Sequence, residues 1–242
     1  MDGFAATIED YWGVSAATAG VVFRDEAMAV VIDPASDESQ RVSIVRRVHG
    51  STTVTVSEAV GALLRLGEST RFSEAGILGS LADARIELHD ADNLFYFTAD
   101  ARADLVGEPD APAVRRLHEG DAAEFDRFQA SASEQDLDDS FVELDHWAVF
   151  GSFVGDRLVA ASSAYPWRDS LLADIGVLTL PGFRGRGLAR HLVRALSRFA
   201  VGAGYEPQYR CQLDNAASIA LAQSSGLTLF GTWQVVSPES PV

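Results

Sequence analysis

The sequence predicts an α+β (mixed α/β) protein: a mixed, mostly antiparallel sheet flanked by helices, preceded by a smaller α+β N-terminal domain. Three observations carry this. Trp147 to Val154 and Arg157 to Tyr165 are apolar runs separated only by Gly155-Asp156, the length of a tight antiparallel hairpin. The later strand-like runs alternate with helix-length segments, which demands crossover connections and hence some parallel pairing. The 242 residues are 47% hydrophobic and 22% charged, enough for one large core or two small ones.

The sharpest break in the pattern is Gly107-Glu108-Pro109-Asp110-Ala111-Pro112. Two prolines, a glycine and two acids between periodic segments read as a linker. This sets an N-terminal α+β domain at residues 1–106, a linker at 107–112 and a second domain at 113–242. In the first, Gly20 to Phe23, Ala27 to Ile32 and Val42 to Val48 read as strands. Ser57 to Leu66 reads as a helix with Val60, Leu63 and Leu64 on one face, and Ser73 to Leu81 as a second helix opened by a serine cap. Leu94 to Thr98 reads as one more strand. No chemistry-bearing motif is concentrated in this half, and its role is left open.

The second half starts with a short strand at Ala113 to Leu117, a helix at Asp121 to Ala130 and an acidic helix from Glu134 to Phe141. The hairpin follows, then a third strand at Leu171 to Leu180. The glycine-rich stretch Pro181 to Gly187 opens a helix with Leu188, Leu192, Leu196 and Phe199 on its apolar face. Arg190, Arg194 and Arg198 form a second face, expected to be solvated for the last two, and Gly202 and Gly204 end the helix. Tyr209 to Leu213 is a strand, Asn215 caps a short helix ending at Gly226, and Leu227 to Val236 returns as strand.

Charge excludes several functions. The formal charge is −16 at pH 7, from 19 basic and 35 acidic residues, which repels nucleic acid and anionic membrane surfaces. No stretch approaches the roughly 18 to 20 apolar residues of a membrane span. No basic-then-apolar leader opens the sequence, so a cytoplasmic location is expected. The single cysteine, Cys211, excludes a disulfide framework or a multi-thiolate metal site and reads as a small core residue; no metal is expected. Every basic residue is arginine, which excludes lysine chemistry and fits a GC-rich bacterial genome. Ten acids lie between Glu119 and Asp145 against Arg127 alone, whereas residues 184–210 carry six arginines against Glu206.

That cationic region coincides with the most informative segment, Asp174 through His191. A strand runs into a turn whose glycines leave backbone N–H groups unobstructed, and the turn opens a helix. Unpaired amides and the positive helix end converge there as an anion socket, with Arg184 and Arg186 adding formal charge. The spacing departs from the dinucleotide fingerprint, because position 190 is arginine and no acid follows at the required distance.

Arg184, Gly187 and Ala189, in the form Arg-x-x-Gly-x-Ala after Pro181, resemble the pyrophosphate motif of the GNAT superfamily of acyl-CoA-dependent N-acetyltransferases. Asn215 to Leu227 resembles that family's later segment, in which an asparagine caps a short helix and a glycine-plus-hydrophobe begins the final strands. The resemblance covers about residues 113–236. It implies acetyl-CoA as co-substrate, with pantetheine along the backbone of Val177, Leu178 and Thr179. It places the pyrophosphate on Arg184, Gly185, Arg186, Gly187, Leu188, Ala189 and Arg190, and brings Asn215 to the cofactor from the neighbouring helix.

The pattern also departs from the family. Many members carry a tyrosine seven residues after the asparagine as the acid for the leaving thiolate; here that residue is Ala222. Asp174 is the candidate catalytic base, since burial at the strand start would raise its pKa, with an ordinary exposed aspartate as the alternative. His146 lies between acids that favour its protonated form, and is either a base or a structural histidine. Tyr165 and Tyr209 are further candidates for the acid. The acidic run at 119–145 would attract a cationic acceptor. The expected function is acetyl transfer from acetyl-CoA to a primary amine of a small cationic molecule, in a chain that could form a homodimer. The alternative is a catalytically silent acyl-CoA-binding module whose N-terminal domain contacts a protein.

Overall fold

The computed structural model describes residues 3–14, 20–48, 50–68, 71–109 and 111–240. Asp110 of the expected linker lies outside them. In chain order the elements are α1 (Ala6–Trp12), β1 (Val21–Arg24), β2 (Met28–Ile32), β3 (Val42–Arg47), β4 (Thr52–Val56), α2 (Glu58–Leu63), α3 (Glu74–Asp83), β5 (Asp92–Tyr96) and α4 (Ala99–Val106). They continue with β6 (Val114–Arg116), α5 (Ala122–Gln129), α6 (Glu134–Ser140), β7 (Ala148–Val154), β8 (Arg157–Pro166), β9 (Leu172–Thr179), α7 (Leu188–Gly202), β10 (Glu206–Gln212), α8 (Ala216–Ser224) and β11 (Thr228–Val235). Among the described residues no helix is long and apolar enough to cross a membrane.

The chain folds as two compact units, neither continuous in sequence. The larger holds the residues up to Ile8, Phe95–Arg210 and Asn215–Thr228; the smaller holds Glu9–Leu94, Cys211–Asp214 and the residues from Leu229 onward. Their borders therefore differ from the expected break at 107–112. Strand pairing and burial give the reason. In the smaller unit, Gly231 to Val235 of β11 pair antiparallel with Arg47 to Ser43 of β3. In the larger unit, α4 packs on α7, Leu105 is fully buried, and Glu108 is ion-paired with Arg194 of α7.

The smaller unit is a sheet in the order β1-β2-β4-β3-β11, antiparallel except for the parallel β2–β4 pair. Val30, Val42, Ile44, Val54 and Val56 meet Val60 of α2 and Ile77 and Leu81 of α3 in one apolar cluster. Both serine caps form: Ser57 Oγ accepts from the Val60 N–H and Ser73 Oγ from the Gly76 N–H.

The larger unit has β6, β7, β8 and β9 antiparallel in that order, with β10 added parallel to β9. Phe125 and Phe128 of α5 cluster with Val149, Leu158, Ala161 and Leu178. Phe150, the next residue after Val149, packs on Phe199 of α7 instead. Successive strand residues point to opposite faces, so the sheet carries α5 on one face and α7 on the other. The end of α6 reaches β9 at Gly176, where an added Cβ would lie 2.1 Å from the Ser140 carbonyl oxygen. Only glycine permits that approach, and it sets Phe141 down beside β8 and β9.

A chain beginning at Glu108 would lack Phe95, Tyr96 and Phe97, all essentially fully buried, together with α4. Such a fragment is expected to lose cooperative unfolding and amide dispersion, as read by thermal melts and proton NMR. A sharp transition with native-like dispersion would show that 108–242 is an independent domain.

Candidate functional site

The pairing of β10 with β9 runs from Glu206–Leu172 to Tyr209–Ile175 and stops, whereas β8 stays paired with β9 as far as Thr179. Val177, Leu178 and Thr179 thus occupy a stretch of β9 with no β10 partner in the register. Thr179 Oγ1 is buried without a hydrogen-bond partner.

After β9, Pro181–Phe183 makes one 3₁₀ turn, and Gly185 and Gly187 take φ of 74° and 77°, the left-handed region open to glycine. Gly187 is the N-cap of α7 and supplies no side chain, and the His191 N–H bonds the Gly187 carbonyl at 3.2 Å. The amides of Leu188, Ala189 and Arg190 precede that bond and have no acceptor within the helix. Arg184, Gly185, Arg186, Gly187 and Arg190 are exposed, and Leu188 and Ala189 half-buried. Arg184 is already engaged, bonding Asp136 at 2.7 Å and the Thr179 carbonyl at 3.0 Å. Asn215 accepts the Ser218 N–H at 3.0 Å as the cap of α8, and Ala222 is fully buried.

The arginine face of α7 is not solvated as expected. The Arg194 side chain is 14% exposed, pairs with Glu108 and donates to the Ser225 carbonyl at 2.6 Å. It ties α7 to the end of α8 and to the segment after α4. Arg198 approaches the same Glu108 carboxylate at 3.9 Å.

Asp174 is buried, but it does not stand free. Its Oδ1 accepts from Gln208 Nε2 at 2.9 Å and Arg210 Nε at 3.0 Å. Its Oδ2 accepts from the Tyr165 hydroxyl at 3.0 Å and an Arg210 terminal nitrogen at 2.8 Å. Both oxygens are fully committed to protein donors, leaving no lone pair for a substrate proton. The free base expected at this position is therefore replaced by a buried ion pair. Gln208 and Tyr165 are each the cross-strand partner of Asp174 on either side of β9, and Gln208 also accepts from Tyr96. Sequence reading missed Gln208, Arg210 and Tyr96, because only the strand register brings them to Asp174. Burial, with the neighbouring carboxylate, pushes the Tyr165 phenol above its ordinary value and keeps it protonated.

His146 also corrects its expectation. Burial lowers its pKa and outweighs the opposing pull of Asp145, Glu143 and Asp174, so the ring is neutral at pH 7. Its Nδ1 lies 2.8 Å from Ser163 Oγ. Cys211 is buried and its thiol is pushed up to about 11, chiefly by burial, as befits an inert core residue. Tyr209 is buried on β10. Much of the acidic run is spent locally: Asp121 pairs with Arg115, Glu124 with Arg127 and Asp136 with Arg184. A surface cavity of about 560 Å³ lined by Pro112, Arg115, Glu124, Phe153 and Asp156 contains none of the predicted site residues.

Two outcomes follow from these ion pairs. Asp174→Asn leaves the Arg210 guanidinium without its counter-charge and is expected to cost about 3–5 kcal/mol in urea unfolding; a loss below about 1 kcal/mol would remove the pair from the fold's support. The Arg194 guanidinium holds the Glu108 carboxyl below its usual range. A depressed folded pKa contributes stability above the unfolded value, and that stability is lost as pH falls through the folded one. Glu108→Gln should therefore lower the melting temperature at neutral pH and reduce the further drop on acidification below about pH 4.5. Parallel melting-temperature profiles for parent and variant would contradict this.

Residues 114–227 match the acetyltransferase (GNAT) family model. No curated protein matches the chain. Among solved structures, an acetyltransferase of the GNAT family from Colwellia psychrerythraea aligns with TM-score 0.50 and 18% identity, over 67% of this chain and 62% of that one. A GNAT-family acetyltransferase from Novosphingobium aromaticivorans aligns with TM-score 0.47 and 22% identity, over 62% of this chain and 64% of its own. The aminoglycoside N-acetyltransferase AAC(6′)-Iy, solved with CoA, aligns with TM-score 0.37 and 20% identity, over 47% and 89%. The chain thus spans just under two thirds of the length of the first two. The unpartnered stretch of β9, the glycine turn and the capped α8 all fall within residues 114–227, the part of the chain that matches the GNAT acetyltransferase family model.

Proposed function

We propose that this protein is an N-acetyltransferase that moves an acetyl group from acetyl-CoA to a primary amine on a small cationic molecule. The observation that carries the reading is the stretch of β9 without a β10 partner, leading into a helix start whose amides lack acceptors. Val177, Leu178 and Thr179 would bond pantetheine through the backbone. The amides from Gly185 to Arg190 would take the pyrophosphate, with Arg186 and Arg190 adding charge, Arg184 holding the turn and Asn215 at the edge of the cofactor. The residues fit such a ligand: nothing lies within 4 Å of a Cβ built at Gly182, Gly185 or Gly187, so phosphate oxygens can reach the backbone. Acetyl-CoA supplies an acetyl group activated as a thioester. Acids of α5 and α6 with no arginine partner among the described residues, such as Asp126 and Asp138, support a cationic acceptor through their field. The single cysteine supports action in a reducing compartment such as the bacterial cytoplasm.

A second reading, a silent acyl-CoA-binding module, draws support from two observations. Ala222 is buried where many family members place an acid, and the Asp174 carboxylate is locked. CoA release measured with acetyl-CoA and a panel of spermidine, kanamycin and 2-phenylethylamine separates the two. Release with any amine supports the enzyme; binding without release supports the module. For the cofactor site itself, Gly187→Asp puts a carboxylate where phosphates must approach. Acetyl-CoA affinity in calorimetry is expected to fall by about a hundredfold, roughly 2.7 kcal/mol. Unchanged affinity with an intact circular dichroism spectrum would sink the assignment.

A further inference from the structure

Three aromatic rings from three parts of the larger unit close into a triangle: Phe141 at the end of α6, His146 before β7 and Tyr165 on β8. Their centroids are 5.0 Å apart for Phe141–His146, 5.6 Å for Phe141–Tyr165 and 5.0 Å for His146–Tyr165. Phe141 is unusual twice over. Its φ of 46° is left-handed, a conformation that costs a bulky residue free energy, and the residue remains 53% exposed. The left-handed backbone ends α6 as its C-cap, a place where glycine or asparagine is usual, and the ring stays largely outside the core.

The other two rings are held rigidly. Tyr165 is fixed through its hydroxyl to Asp174, itself clamped by Arg210 and Gln208. His146 Nδ1 is bonded to Ser163 Oγ, which also accepts the Glu143 N–H at 3.3 Å, and Ser163 is fully buried. In the tautomer that carries its hydrogen on Nδ1 and donates it to Ser163 Oγ, Nε2 keeps a lone pair that no described residue bonds. The groups acting on this ring are Glu143 and Asp145 from its own segment, Tyr165 from β8 and Asp174 from β9.

We propose that Phe141, His146 and Tyr165 form the acceptor-amine subsite, and that His146 Nε2 receives the amine proton during transfer. The proposal rests on the acetyltransferase reading above. Three neutral rings attract an ammonium group on an apolar stem through their faces. The bound ammonium first releases one proton to water. The lone pair of the neutral amine then forms a bond to the acetyl carbonyl carbon, and the C–S bond breaks with its electron pair on sulfur. The amine N–H proton passes to Nε2. The thiolate takes a proton from water, and His146 returns its proton to the hydroxide so formed. From the neutral amine the products are amide and CoA with no net proton change; from the ammonium one proton is released to water.

The test uses the full chain. With saturating acetyl-CoA and 2-phenylethylamine, His146→Gln should lower kcat about a hundredfold with KM within a few-fold. It should also remove the acid limb of the rate profile, where the parent loses activity as His146 is protonated. Phe141→Gly relieves the left-handed strain, so the fold is kept, and should raise the amine KM about tenfold or more. Without acetyl-CoA, 2-phenylethylamine should shift the ring resonances of His146 in nitrogen-15 NMR, with the proton on Nδ1 in the free protein. Release of CoA by the parent together with an unchanged kcat and pH profile in His146→Gln would overturn this proposal and leave the acetyltransferase reading standing. Shifted His146 resonances with no CoA release from any amine would leave the subsite standing and sink that reading. Unshifted resonances would overturn the subsite whatever the activity.

Discussion

The Asp174–Arg210 ion pair is the interaction on which the larger unit depends. A carboxylate buried to 6% exposure in the middle of a sheet is tolerated only when charge and hydrogen-bond partners meet it in full. Here the partners come from both neighbouring strands, Tyr165 on β8 and Gln208 with Arg210 on β10. A slip of one residue in either pairing would put the partners of Asp174 on the face opposite to it and strand the charge, so the pair selects the register of three strands at once. The β9–β10 pairing ends one residue beyond it, at Tyr209–Ile175. The clamp and the parting of the strands are therefore neighbours, and the parting is where β9 becomes accessible.

Helix α7 owes its placement to a second set of charges. Arg194 binds its middle to Glu108 and to the end of α8, while Arg184 ties the turn before it to Asp136 of α6. Of the six arginines that made residues 184–210 look strongly cationic, several thus neutralise acids of the same unit. The local positive field is set less by the count of arginines than by the helix start itself and by Arg186 and Arg190. The same accounting holds for the acidic run, where Asp121, Glu124 and Asp136 each hold an arginine.

Local signals were legible in the sequence and long-range ones were not. The hairpin from β7 to β8, the serine caps of α2 and α3, the Asn215 cap and the strand–turn–helix into α7 are specified by residues a few positions apart, and all of them form. Strand β4 has no counterpart in the sequence reading although Thr53 to Val56 alternate threonine and valine, because it follows β3 closely and runs directly into α2. Helices α1 and α4 carry little periodic signal and are held by tertiary packing, with Ile8 and Leu105 fully buried. The engaged state of the Asp174 carboxylate and the protonation of His146 are not legible in the sequence for a common reason. Each depends on what lies across the sheet, Arg210 for one and the burying rings of Phe141 and Tyr165 for the other. Sequence neighbours such as Asp145 gave the opposite impression.

The interleaving of the two units also governs how this chain can be made. A ribosome emits residues 9–94 early, yet the sheet they build lacks its β11 strand until Leu229 and beyond have cleared the exit tunnel. In the meantime β3 presents an unpaired edge of the kind that invites association with other chains. Synthesis at about 5–20 residues per second makes that wait on the order of ten seconds or more, long compared with the folding of a small sheet. An edge left open for that interval is the physical consequence of drawing β11 into this sheet from a distant part of the sequence.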